Sequence, residues 1–119
     1  MSSQTILTIV GNLTADPELR FTQSGRPVAN FTVASTTRQF DKVADKWADG
    51  DTIFMRCTVW GGLAENAARL TKGTPVIALG ALEQHTYETK EGEKRTTLEL
   101  TVSTLGAALR NVAPVPVPA

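Results

Sequence analysis

The stretch "DTIFMRCTVWG", residues 51–61, decides how this chain is read. Taken with a period of two, Ile53, Met55, Cys57 and Val59 fall on one side and Phe54, Arg56, Thr58 and Trp60 on the other. Such alternation marks a half-buried strand. The first set is an ordinary core face. The second should be the wet face, yet it holds two large rings with an arginine between them. Rings left wet cost free energy unless something covers them. A nucleic-acid base is a suitable flat partner, and stacking tolerates any base because each has a π-face. The plainer alternative is cover from a helix, a loop or a second subunit.

On either side of this strand the pattern is mostly strands. "TILTIVGN" is rich in β-branched residues and stops near Gly11-Asn12, and "PELRFT" is a short extended piece before a turn at Ser24-Gly25. "RPVANFTVASTTR" is long, with Ala29, Phe31 and Val33 on one face and Asn30 and Thr32 on the other. A polar excursion, "QFDKVADKWADGD", ends in an Asp-Gly turn signal. "TPVIALGAL" runs on into "EQHTY", and "KRTTLELTVS" sets Leu98, Leu100 and Val102 against Thr97, Glu99 and Thr101. The charged "ETKEGEK" between them predicts a hairpin.

One segment has a different period. "GGLAENAARLTKG" spaces Leu63, Ala67 and Leu70 as a helix does, with Glu65 and Arg69 four apart in the favourable order for an ion pair. Lys72-Gly73 predicts its end, and Pro75 follows. Strands, one short helix after the third main strand, then two more strands fit a mainly β OB-fold, a five-stranded Greek-key barrel. Gly11 and Gly80 fit its sharp bends. Pattern alone leaves sandwich and other barrel topologies open.

With 119 residues there is room for one core. Residues 1–110 are expected to form it, and the proline-alternating end over 111–119 is expected to be an extended, flexible tail. No apolar run nears the roughly 20 residues of a membrane span, and the N-terminus has no secretory pattern. The single cysteine, Cys57, has no disulfide mate, and only one histidine, His85, could join it on a metal. A cytoplasmic protein without metal or cofactor is expected. Twelve Lys and Arg balance twelve Asp and Glu, which argues against a histone-like basic binder but not against local basic clusters.

Other rings extend the suspicion raised by Phe54 and Trp60. Phe40 lies in polar company with Arg38 and Lys42, and Tyr87 ends a strand just before the charged hairpin. Phe31 reads as core, Phe21 as ambiguous, and Trp47 as a lid on its own hairpin's base.

The words "VGNL", "DPELRF", "VANFTVA", "DGDTIFMRCTVWG", "LAEN", "LTKGTPVIALGAL" and "YETKEGEKRTTLELTV" together resemble the bacterial single-stranded DNA-binding (SSB) family, in wording near its actinobacterial branch, over about residues 5–105. The resemblance implies an OB-fold homotetramer that wraps single-stranded DNA without sequence preference, in the nucleoid-associated cytoplasm, during replication, recombination or repair. It places the family's stacking rings on Phe54, Trp60 and Tyr87, with Phe40 next to the fourth position. It implies phosphate contacts at Arg56 and Lys72, and further ones at Arg20, Arg38 and Arg95.

Three departures from the family pattern carry expectations of their own. In "EQHTY", Glu83, His85 and Thr86 stand where relatives commonly have basic residues, so weaker or less salt-dependent binding is expected. His85 would add charge only at low pH. The helix segment is one residue shorter, with Gly62 where a basic residue is common. The sequence ends at "PVPVPA" without the acidic tip by which the family recruits repair and replication enzymes, as either a truncated chain or a tailless paralogue would, and the resemblance therefore lends such recruitment little support.

Other functions are less well supported by the residues. Cys57 falls on the aliphatic face with no basic partner in sight, and Asp16 and Glu18 flank Pro17 in a turn-like segment, so no nucleophile–base constellation assembles and no enzyme is expected. An OB-type RNA or primosome-associated module would share the ring-bearing face. A purely structural domain would bury Phe54 and Trp60 between subunits. An apolar edge such as "TILTIV" would itself be covered by pairing with its symmetry mate.

Overall fold

The computed structural model describes residues 4–109. Six strands and one helix follow in the order β1 (Thr5–Leu13), β2 (Glu18–Phe21), β3 (Pro27–Asp41), β4 (Lys46–Trp60), α1 (Gly62–Ala67), β5 (Pro75–Glu88) and β6 (Lys94–Ala107). Neighbours run β1-β5-β6-β4-β3-β2, and β1 also pairs with β3. Five strands therefore close into a ring, with β2 added outside along β3. The pairing is antiparallel except between β4 and β6, which run parallel through Arg56–Glu99 to Thr58–Thr101. The five-stranded expectation holds for the ring, and the short extended piece "ELRF" is its sixth, flanking strand. The tail over 111–119 lies outside the described residues, as does the end of the 105–112 segment.

The core is what the alternation requires. Ile9 and Leu13, Ala29, Phe31 and Val33, Met55, Cys57 and Val59, Val76 and Ala78, and Leu100 and Val102 all point inward. Ala64 and Ala67 of α1 complete it, the helix packing on β3 and β4. Two glycines let the ring close. A Cβ on Gly11 would strike the Ala34 carbonyl, and one on Gly80 the Thr101 carbonyl. Both stand where backbone approaches backbone.

Burial stops partway along four strands. Beyond Ser35 on β3, before Met55 on β4, beyond Leu82 on β5 and before Leu98 on β6, every residue but Gly50 and Thr97 is exposed. The β3–β4 and β5–β6 hairpins therefore leave the barrel as arms. Their reach shows in a radius of gyration of 17.0 Å, against about 13 Å for a compact chain of about 100 residues. Two expected core residues are corrected by this. Ile53 is 52% exposed and Leu98 50%, because each lies on the inward side of its strand but past the end of the core.

Two other boundaries differ from expectation. Asp49-Gly50 is not the turn of the first arm. The chain reverses over residues 42–45, where Asp45 takes φ 53° and the Asp41 carboxylate accepts N–H bonds from Val43 (2.9 Å) and Ala44 (3.2 Å). Gly50 instead sits in a bulge, since Thr36 pairs with Thr52 but Arg38 with Asp49. The helix ends at Ala67, not at Lys72. Arg69 and Leu70 donate to the carbonyls three residues back, a tightening that ends it and leaves Arg69 outside helical spacing to Glu65. Gly73, at φ 88°, belongs to the loop before β5.

Candidate nucleic-acid interface

Cross-strand register gathers the outward residues onto one face. On β4 these are Phe54, Arg56, Thr58 and Trp60. Beside them on β3 stand Ala34, Thr32, Asn30 and Val28. On the other side, β6 brings Glu99 next to Arg56 and Thr101 next to Thr58. From β6 the row continues to β5, where Glu83 faces Glu99, His85 faces Thr97 and Tyr87 faces Arg95. The rings of the opening strand are open to solvent, Phe54 at 66% and Trp60 at 37%, and Tyr87 on the second arm is 50% exposed. Among the described residues, neither α1 nor a loop buries these rings, although Trp60 is the least open of the three.

The bulge in β4 extends this face along the first arm. One extra residue reverses the alternation. Arg38, Phe40, Trp47 and Asp49 therefore lie on the strand side that carries Thr36 and Thr52. Phe40 and Trp47 meet edge to face, with centroids 5.5 Å apart. Trp47 is thus near the arm's tip, not a lid on its base.

The cations nominated by the sequence divide. Arg56 Nε lies 3.9 Å from Glu99, Arg38 Nε 3.9 Å from Asp49, and Arg95 3.5 Å from Glu93. Arg20 donates to Asn30 Oδ1 at 2.8 Å, and Asn30 Nδ2 donates to Thr58 at 3.0 Å. All four are on the strands of the face or its arms. Lys72 stands apart, in the loop between α1 and β5, where its backbone N–H donates to Asp16 at 2.7 Å. Exposed pairs of this kind are worth about 0–1 kcal/mol, so an anion can displace the carboxylate cheaply.

Sequence reasoning missed several neighbours. The Arg26 guanidinium lies 4.5 Å from the centroid of the Trp60 ring and covers one of its faces. Phe21 is exposed and lines, with Trp60, a groove of about 450 Å³ whose far wall is Glu83, His85 and Glu99. The Val28–Trp60 pairing could have revealed Arg26, two residues upstream on β3's approach. Glu99 had no local signal. Its contact with Arg56 comes from strands joined only across the barrel. Cys57 is buried, and burial pushes its thiol up to about 12, which leaves it protonated and unreactive near neutral pH. Among the described residues no three metal-ligating side chains gather, and no helix is long and apolar enough to cross a membrane.

A closed barrel with this strand order, a parallel closing pair and a helix between its third and fourth ring strands is an OB-fold. The chain belongs to the single-strand binding protein family, whose model matches residues 5–108. It is 58% identical over 111 residues to the single-stranded DNA-binding protein of Paenarthrobacter aurescens, covering 92% of this chain and 65% of that protein. It is 56% identical to that of Mycolicibacterium smegmatis, covering 92% and 67%. The chain thus spans about two thirds of the length of such relatives. Among solved structures, the small single-stranded DNA-binding protein from Streptomyces coelicolor aligns with TM-score 0.80 at 30% identity, over 91% of this chain and 97% of that one. A Plasmodium falciparum SSB complex with ssDNA aligns with TM-score 0.77 at 19% identity, over 91% and 97%, a likeness of fold.

Proposed function

We propose that this chain binds single-stranded DNA with little dependence on sequence, and protects it during replication, recombination or repair. One observation carries the reading: Phe54, Trp60 and Tyr87 each present ring surface to solvent along one continuous face of the barrel and its second arm, with Arg56 among them. Bases stacked in a duplex cannot lie on protein rings, so the substrate is a single strand. Each ring replaces base–base stacking by about 1–3 kcal/mol. Phe40 extends the row along the first arm. Arg56, Arg38, Arg95 and Arg20 meet phosphates along it, with Lys72 at its margin. The binding and assembly unit is placed within residues 1–110, and the setting is the nucleoid-associated cytoplasm.

Assembly as a homotetramer is part of the proposal. From Thr5 to Gly11, β1 pairs only with β5. Its other edge borders an apolar hollow of about 560 Å³ walled by Leu7, Ile9, Ile53, Met55 and Leu82. Ile6, Ile77 and Leu79 are exposed on the outer face of the same strands. An edge and a face of this character attract other chains without control, and isologous pairing covers them. Several copies also lengthen the DNA path, since one OB-fold spans only about 4–16 nucleotides.

The test is a titration of tryptophan fluorescence with oligo-dT at two salt concentrations, on material whose mass is fixed by light scattering. A Trp47→Phe variant isolates the signal of Trp60. Strong quenching on a particle of four chains is expected, and oligo-U should compete poorly. Unquenched fluorescence, with no change in the anisotropy of labelled DNA, would sink the reading.

Arg56→Ala is expected to flatten the dependence of log K on log salt by about 0.7, the share of one phosphate on a single strand. Glu99 does not prevent this, because a pair at 3.9 Å with an exposed arginine is weak. An unaltered slope would remove Arg56 from the phosphate path.

A further inference from the structure

We propose that Trp47 is a further stacking platform, one that carries the path of a single strand out to the tip of the first arm. The inference deepens the single-strand reading and rests on it. A strict period of two would put Trp47 with Ile53, Met55 and Cys57, on the inward side of β4. The bulge at Gly50 prevents this. From Thr36 to Arg38 the β3 strand advances two residues, while β4 runs three, from Thr52 to Asp49. The extra residue turns Asp49 and Trp47 to the side that carries Phe54, Arg56 and Trp60. Re-aiming a side chain is a common use of a bulge.

Trp47 continues the row at its own spacing. Trp60 and Phe54 are six positions apart on β4, and Phe54 and Trp47 are seven apart, one of which the bulge takes up. At about 3.3 Å per residue each step is about 20 Å. The arm has no core beneath it, and Trp47 is 60% exposed. Its contact with Phe40 is edge to face, with 60° between the ring planes. Such a contact occupies at most one face of either ring, so Trp47 keeps a face for a base. A cross-strand aromatic pair steadies a hairpin, but that role does not need so large a ring left wet.

The occupant that fits this ring is a nucleobase. Trp47 is continuous with the rings of the barrel face, and the next residue on the same side of β3 toward the barrel is Arg38. A ring for a base beside an arginine for a phosphate repeats what Phe54 and Arg56 offer on the barrel. The Arg38 guanidinium is held only by Asp49 at 3.9 Å, and both side chains are largely exposed, so a phosphate can take the place of the carboxylate. Of the acids at the tip, Asp41 turns its carboxylate to the N–H groups of Val43 and Ala44. Stacking is indifferent to base, so a platform here lengthens the path without adding sequence preference.

Oligo-dT of two lengths tests the inference: one of about 8 nucleotides, and one several times longer than the about 4–16 nucleotides of a single OB-fold. Trp60→Phe leaves Trp47 as the only tryptophan, and the long oligonucleotide should quench it. Trp47→Ala should weaken binding of the long oligonucleotide about 5-fold or more, the lower end for one lost base stack, and leave the short one, which the barrel rings hold, nearly unchanged. Trp47→Phe should recover most of the affinity. Trp47→Leu should recover none, because leucine packs on Phe40 but has no π-face. Unquenched Trp47 with the long oligonucleotide bound by anisotropy would overturn the inference, as would unchanged affinity in Trp47→Ala. Equal losses at both lengths would place the effect in the barrel, full affinity in Trp47→Leu would reduce the ring to packing within the arm, and an altered mass by light scattering in Trp47→Ala would make the tip a subunit contact. Each of these also overturns it, and the single-strand reading survives them all. Failure of the unaltered protein to bind either oligonucleotide would instead bring down that reading, and this inference with it.

Discussion

Trp60→Ala is expected to weaken binding of oligo-dT by about 1–3 kcal/mol per occupied site, with little change in base preference. The loss has one main source. The ring's open side offers a base the stacking it gives up when it leaves its neighbours. Arg26, at 4.5 Å, holds the opposite side and keeps the ring from swinging to solvent. Alanine removes the platform and releases Arg26, whose charge remains available to a phosphate and recovers part of the loss. The fold should tolerate the change. Trp60 lies at the end of β4, opposite Val28 of β3, and is itself outside the core. A labelled oligo-dT followed by anisotropy measures the affinity, since the variant loses the natural reporter. Unchanged affinity in a protein that still melts cooperatively would show that Trp60 is not a platform. Phe54→Ala should behave in the same direction, with a smaller cost to the fold because Phe54 is 66% exposed.

The inward faces were legible because a period of two needs no knowledge of the partner strand. Ala29, Phe31 and Val33, and Met55, Cys57 and Val59, are buried as their spacing predicts. Ile53 and Leu98 failed for a definite reason. Alternation gives the side of a strand, but not where the barrel ends beneath it. Turn chemistry failed in a similar way. Gly50 was a true signal of irregular backbone, but it served a bulge. The actual reversal was written in Asp41, whose side chain caps the turn that follows.

The candidate interface was legible in its rings and not in its acids. An exposed aromatic among polar neighbours stands out in any window. A carboxylate does not, because most glutamates are solvated. Glu99 matters through Arg56 and His85, and both contacts depend on pairing across the barrel. The balanced net charge takes a local meaning here. Arg38, Arg56 and Arg95 each have a carboxylate within 4.0 Å, so the face is a set of weak exposed pairs rather than a bare cationic stripe. Binding to such a face must exchange one anion for another, and the rings carry a larger share of the affinity.

The effect of Gly80→Ala on stability tests whether the barrel and the second arm depend on one close approach. Gly80 lies on β5 at a register shift against β6, beside Leu79. A methyl group there would overlap the Thr101 carbonyl and crowd the Val102 Cα, which are backbone atoms of the strand that closes the ring. Backbone cannot move aside as a side chain can, so β5 and β6 must part locally. Overpacking of this kind costs about 1–3 kcal/mol and occasionally more. The denaturant midpoint should fall at unchanged slope, measured at fixed protein concentration because assembly contributes to stability. Gly106→Ala on β6 is the control, since nothing lies within 4 Å of its added carbon; it should stay within about 0.5 kcal/mol. The same parting would loosen the arm that carries Glu83, His85 and Tyr87, so Gly80→Ala should also weaken DNA binding where Gly106→Ala does not. Equal midpoints for the two variants would mean that β5 and β6 have slack at the seam, and that the bend at Gly80 is set by something other than contact with Thr101.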